Sequence, residues 1–178
     1  MGKGASGASG AWGPVYLGVI GESDPPPHLV ETAEALGRCV AEAGAVLVCG
    51  GMGGVMEAAC RGARGAGGHT IGIMPGHNES ESPPNSYVEF PVFTGMGSAR
   101  NVMVVLSGEA AVAIDGSYGT LSEIAHALIN GIPVVGLDTW DFAYHGHEAD
   151  SIVRTSDPVE AAGLAISLAR SRGRSQES

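Results

Sequence analysis

The chain has 178 residues, 44% of them hydrophobic, and a formal net charge of −10. That length suits one domain with a real core, and the acidity argues against a broad nucleic-acid surface. No apolar run reaches the ~18 residues of a membrane span, and residues 1–14 lack the apolar region of a secretory signal, so a cytoplasmic protein is expected.

Residues 1–13 are rich in Gly, Ser and Ala and are expected to form a flexible tail. Residues 15–20 are apolar and stop at Gly21, which predicts a first strand. After the turn Asp24-Pro25-Pro26-Pro27, Leu29, Ala33, Leu36 and Val40 recur at helical spacing up to Gly44. Residues 45–49 predict a strand, 55–66 a helix of small residues closed by Gly67-Gly68, and 70–74 a strand. A polar loop covers roughly 75–86 and is long enough to be functional or mobile. Residues 88–93 predict another strand, and Ser98 is placed as the cap of a helix running to about 106. A strand follows at 110–114, a helix at 120–130 and a strand at 133–137. Asp157-Pro158-Val159-Glu160 combines an N-cap, a proline at the first helical position and a capping-box glutamate. That helix is predicted to end near 170, leaving 172–178 as a second tail.

Short apolar strands without polar alternation, taking turns with helices, are the pattern of a parallel sheet covered on both faces. The expected fold is a single Rossmann-like, doubly wound α/β domain over residues 14–171, with its ligand at the carboxyl ends of the strands.

Two glycine loops lie at such ends. Gly50-Gly51-Met52-Gly53-Gly54 follows one strand, and Gly116-Ser117-Tyr118-Gly119-Thr120 follows another. Each aims a helix N-terminus, with its unpaired amides and positive dipole end, and glycine admits a ligand close to the backbone. Neither loop is a G-x-G-x-x-G dinucleotide fingerprint. The expected phosphate- and ligand-binding residues are Gly50, Gly51, Gly53, Gly54, Ser98, Arg100, Gly116, Ser117, Gly119 and Thr120.

Arg100 falls in the first turn of the helix capped by Ser98, where a cation opposes the helix dipole. It reads either as a surface side chain or as a guanidinium reaching into the crevice to fork onto an anion. Glu123 also reads two ways. Thr120-Leu121-Ser122-Glu123 is a formal capping box, yet a carboxylate beside a phosphate loop can serve as a general base. Cys39, Cys49 and Cys60 form no C-x-x-C pair and read as reduced, buried thiols, with Cys49 also a candidate to face the ligand. His145-Gly146-His147-Glu148 has no third ligand at a definite spacing, so no metal is expected. Trp140 and Tyr144 are expected to cover a sheet edge, with base stacking as the alternative for these aromatics.

Gly50-Gly51-x-x-Gly54-Val55-Met56, Gly97-Ser98-Ala99-Arg100-Asn101 and Gly116-x-x-Gly119-Thr120-x-x-Glu123 together resemble the LONELY GUY (LOG) family, and within it the branch of the molybdenum cofactor carrier proteins. The resemblance spans about residues 14–170. It implies a Rossmann-like homodimer or homotetramer. LOG enzymes cleave the N-glycosidic bond of nucleoside 5′-monophosphates to free base and ribose 5-phosphate; their glycine loop holds the phosphate, and an arginine and a glutamate serve catalysis. Carried over, these are Arg100 and Glu123. The carrier branch instead binds the molybdenum cofactor without turnover.

The chain departs from the enzyme pattern in two places. The Pro-Gly-Gly start of the phosphate loop is Asp115-Gly116-Ser117, and the Arg-Lys pair is Arg100-Asn101. An older family label names lysine decarboxylation, but the only lysine is Lys3 in the tail, so no body residue can form a pyridoxal aldimine. The sequence leaves a phosphoribohydrolase and a cofactor carrier open. Neither requires a cofactor of its own, the molybdenum cofactor being cargo in the second. The expected partners are a small phosphorylated ligand and further copies of the chain, not nucleic acid or membrane.

Overall fold

The structure is a computed structural model that describes residues 13–145, 147–148 and 151–176. Its elements are β1 (Tyr16–Gly21), α1 (Pro27–Glu42), β2 (Val46–Cys49), α2 (Val55–Gly65), β3 (Thr70–Met74) and β4 (Phe90–Phe93). A 3-10 turn (Gly97–Arg100) leads into α3 (Asn101–Leu106), β5 (Ala110–Ile114), α4 (Tyr118–Ile129) and β6 (Val134–Leu137). The two-residue strands β7 (Ala143–Tyr144), β8 (His147–Glu148) and β9 (Val153–Arg154) precede α5 (Pro158–Gln176).

Seven strands form one sheet in the order β4-β3-β2-β1-β5-β6-β9, and every pairing within it is parallel. This is the expected Rossmann-like, doubly wound α/β fold. The chain winds outward from β1 through β4, then returns to the other side of β1 as β5, with Leu17 opposite Ala110 and Gly21 opposite Ile114. A crevice therefore opens at the carboxyl ends of β1 and β5, where the direction of winding reverses. Both glycine loops leave the sheet at this edge.

The strands are buried on both faces, which is why they read as unbroken apolar runs. Leu17, Val19, Leu47, Val112 and Ile114 pack with α1, α2 and α5, while Ile20, Val48, Ala111 and Ala113 pack with Val104, Val105 and Ile124 of α3 and α4. Helices α1 and α2 touch through their backbones. A Cβ on Gly37 would lie 1.9 Å from the Ala59 carbonyl, and one on Gly62 would lie 1.9 Å from the Glu34 carbonyl. That contact fixes the direction from which α2 meets the crevice.

Several boundaries differ from the sequence pattern. Ser98 caps nothing, because residues 97–100 wind as a 3-10 turn and α3 starts only at Asn101. Helix α4 starts at Tyr118, two residues before the predicted start, with Ser117 as its N-cap. Asp157 caps α5 through the Val159 amide as predicted (2.8 Å), but Glu160 accepts the Thr155 hydroxyl instead of closing a box. Helix α5 runs on to Gln176. Strand β9 carries no pattern of its own; it exists because β6 offers a free edge at Val135 and Gly136. Residues 1–12 of the expected tail lie outside the described residues, as do 177–178. Among the described residues no helix is long and apolar enough to cross a membrane.

Candidate functional site

Arg100 links the first glycine loop to helix α4. It sits where the 3-10 turn becomes α3, and it is only 9% exposed, so the surface reading fails. One guanidinium nitrogen, Nη2, donates to the Gly50 carbonyl at 3.4 Å. The other, Nη1, donates to the Asn101 side-chain carbonyl and faces Glu123 Oε1 at 3.5 Å. Glycine is required at position 50 for this approach, because a Cβ there would lie 2.5 Å from Nη2.

Glu123 is 6% exposed and lies well inside α4, facing Arg100. The capping-box reading therefore fails, since the cap is Ser117 and not Thr120. Burial pushes the Glu123 carboxyl up to about 7, with the Arg100 charge pulling the other way. Taking a carboxylate out of water outweighs one imperfect ion pair at 3.5 Å. Burial also lowers the Arg100 pKa, against the opposing pull of Glu123. Near neutral pH this pair holds a cation beside a carboxyl that exchanges its proton readily.

Two buried polar atoms here lack any partner, Arg100 Nε and Thr120 Oγ1. An unmade hydrogen bond in such a place costs on the order of 1–3 kcal/mol, so both atoms point to a missing acceptor or donor. Thr120 belongs to the first turn of α4, whose amides at Tyr118, Gly119 and Thr120 precede the first backbone bond, Leu121 N–H to Ser117 O at 3.0 Å. No side chain caps this helix, so its first-turn donors and positive dipole end remain available.

The loop backbone is held from outside. Thr139 donates to the Asp115 carbonyl at 2.6 Å, Trp140 Nε1 to the Ser117 carbonyl at 3.3 Å, and Ser122 Oγ to the Gly119 carbonyl at 2.7 Å. Asp115 and Gly116 have φ of 57° and 145°, and a Cβ on Gly116 would lie 2.8 Å from that of Thr120. The carbonyls are thereby turned toward protein partners.

The first loop is tied differently. Asn85, from the polar loop, donates to the Gly51 and Met52 carbonyls at 3.2 and 2.9 Å. Val55 N–H is taken by the Glu22 carbonyl at 3.0 Å. Gly51 has φ of 72° and Gly54 of 65°, and Cβ atoms there would meet Met74 at 2.2 Å and the Glu22 carbonyl at 2.5 Å. Gly53 faces open space by comparison. Cys49 Sγ accepts the Gly51 amide at 3.3 Å and lies 3.5 Å from Cys60 Sγ. That thiol is fully buried in the core, within reach of the charges of Arg100 and Glu123. Its sulfur neighbour and burial raise the Cys60 pKa.

Ser98 is exposed in the 3-10 turn, two residues before Arg100. Asn101, which stands where the LOG-type motif has lysine, is buried and bridges Arg100 to α4. It accepts from Nη1 and donates to the Gly119 carbonyl (3.3 Å) and Ser122 Oγ (2.9 Å). No sequence signal announced this link or the part played by Asn85. Trp140 is half-buried and packs against the core cluster that includes Val134 of β6 and Ile152. It stands over the second loop, its ring centroid 6.1 Å from that of Tyr118. Tyr144, His147 and Glu148 have side chains outside the described ones, and no group of three potential metal ligands occurs among the described residues.

The SLOG cluster4 family model matches residues 14–162. A structure described as the molybdenum cofactor binding protein from Rippkaea orientalis is 35% identical and superposes with a TM-score of 0.81, over 89% of this chain and 99% of that one. The molybdenum cofactor carrier protein of Chlamydomonas reinhardtii is 32% identical with a TM-score of 0.74, over 88% of this chain and 99% of the other. An uncharacterized protein of Archaeoglobus fulgidus is 40% identical over 123 residues, which are 69% of this chain and 80% of its relative.

Proposed function

This chain belongs to the SLOG cluster4 family, and we propose that it binds and carries a phosphorylated, pterin- or nucleotide-like ligand, with the molybdenum cofactor as the leading candidate. The observation that carries this reading is the pairing of an uncapped α4 N-terminus with two orphaned buried donors, Arg100 Nε and Thr120 Oγ1. A phosphate group supplies acceptors for all of them. The likeness to two proteins named for the molybdenum cofactor supports the choice of cargo. The amides of residues 118–120 and the Thr120 hydroxyl hold the phosphate, while Arg100, pinned by Gly50 and Asn101, supplies the positive charge. Gly53, Gly54 and Ser98 form the opposite wall. A Glu123 carboxyl that is half neutral at pH 7 reduces repulsion of the incoming anion.

The Arg100–Glu123 pair favours a second reading, hydrolysis of a nucleoside 5′-monophosphate. Glu123, with a pKa of about 7, would take a proton from water as its oxygen bonds to C1′. The C1′–N bond would break with its electrons leaving to the base, which is then protonated. A general base tuned near the working pH is efficient.

Purified protein incubated with AMP, and separately with molybdenum cofactor, distinguishes the two. The carrier reading expects a rise in melting temperature with the cofactor and no free base from AMP by chromatography. Base release that disappears in Glu123→Gln would replace it with the hydrolase. No response to the cofactor, AMP or inorganic phosphate would overturn both. The same reading gives a cytoplasmic homodimer or homotetramer whose ligand domain is residues 14–171. Light scattering checks the assembly.

A further inference from the structure

We propose that Tyr118 and Trp140 form a stacking platform for a flat heteroaromatic ring carried by the phosphorylated ligand, so that the ring is gripped by its face and not read by its edge. This inference rests on the phosphate site at α4 and names what lies beyond it. Tyr118 is 82% exposed, more than any other large apolar side chain described. Trp140 is its neighbour, with the ring planes 32° apart. The indole is anchored, because its N–H donates to the carbonyl of Ser117, the N-cap of the helix that offers the phosphate donors. Arg154 in turn donates to the Trp140 carbonyl at 2.5 Å. The donors at residues 118–120 and the Tyr118 ring therefore share the first turn of α4, about 5 Å of helix, and Trp140 is tied to the N-cap of that turn.

An aromatic held open to water at a helix start gains nothing for the fold and a good deal on covering a ring. Stacking is tolerant of ring identity, since every base and pterin presents a π-face. Two donors of this rim are spent on backbone carbonyls, Trp140 Nε1 on Ser117 and the Ser122 hydroxyl on Gly119. The platform thus selects for flatness and aromaticity.

The test uses the full chain with Trp12→Phe, so that Trp140 is the sole indole of the two in the sequence. Three probes are titrated by calorimetry and by quenching of indole emission: ribose 5-phosphate, AMP and neopterin phosphate. AMP and neopterin phosphate are expected to bind roughly ten- to a hundredfold tighter than ribose 5-phosphate. They should quench Trp140, whereas ribose 5-phosphate should not. Tyr118→Ala, which removes the ring and keeps the backbone amide, should erase most of that difference. Trp140→Phe should retain part of it. A preference for one of the two aromatic probes identifies the source of the ring. Equal affinities for all three probes, or a Tyr118→Ala loss shared equally with ribose 5-phosphate, would overturn the platform while leaving the phosphate site standing. Failure of ribose 5-phosphate and both aromatic probes to bind would overturn the phosphate site and the platform with it.

Discussion

The two glycine loops both leave a strand end and open a helix, yet their glycines meet different surroundings. In the first, the glycines serve the protein. Gly50 admits the Arg100 guanidinium, Gly51 lies against Met74, Gly54 turns under the Glu22 carbonyl, and the Val55 amide is already taken. In the second, a Cβ on Gly119 would find nothing nearer than 3.9 Å, and no side chain caps helix α4 at this end. The first loop is packed against the protein and accepts an arginine, and the second opens an uncapped helix. A glycine count cannot tell these roles apart, because glycine answers both to a crowding neighbour and to an approaching ligand.

The contrast is testable by adding one methyl group to each loop and perturbing the link between them. The largest effect is expected at Gly54→Ala. Its positive φ and a carbonyl 2.5 Å from the new Cβ combine strain and overpacking worth on the order of 3 kcal/mol or more, read as a drop in the chemical denaturation midpoint. A near-neutral result would break the claim that the first loop is fixed by packing.

Next comes Arg100→Met, which leaves the Glu123 carboxylate buried without its cation. The expected loss is about 3 kcal/mol at pH 8, and much less at pH 5.5, where the carboxyl is protonated. The stabilisation by inorganic phosphate or molybdenum cofactor should vanish at both pH values. Denaturation at the two pH values, with and without each compound, checks this.

Glu123 itself gives a smaller and signed effect. Its carboxyl titrates near 7 in the folded chain, against 4.5 for an ordinary exposed glutamate. Between those values the folded state binds more protons than the unfolded one. The group's contribution is therefore fully present below about pH 4.5 and lost as the pH rises through 7. Wild-type stability should fall over this window relative to Glu123→Gln by a few kcal/mol at most. A parallel pair of pH–stability curves would contradict it.

The smallest effect on the fold is expected at Gly119→Ala. An alanine in the first turn of α4 meets no neighbour and should leave stability unchanged or raise it by less than about 1 kcal/mol. It should nonetheless weaken phosphate binding, measured by calorimetry, because it puts a methyl group where the donors are reached. Unchanged binding would move the anion site away from the second loop.

Chain order and local pattern made much of this legible. The apolar runs at β1, β2, β3, β5 and β6 and the helical spacing of Leu29, Ala33, Leu36 and Val40 depend on residues near each other, so the alternation of strand and helix follows from sequence alone. The placement of both glycine loops at strand ends followed too; Arg100 and Glu123 were singled out in the sequence, and the fold sets them 3.5 Å apart. Two-residue strands such as β9 were not legible, since they exist only as partners of a free edge.

What sequence determined by itself is the winding of the sheet and the inventory of groups at its carboxyl edge, because hydrophobic period and glycine position are local properties. What only the tertiary structure decided is how those groups are spent. Glu123 could cap a helix or face a cation, and the earlier start of α4 at Tyr118 decided for the cation. Arg100 could lie in water or under Gly50, and the 3-10 turn at 97–100 brought it inside. Trp140 reached the second loop only because β6 ends beside β5. Each choice rests on contacts between residues 20 to 50 positions apart in the chain, where burial and hydrogen bonding, not local propensity, set the free energy.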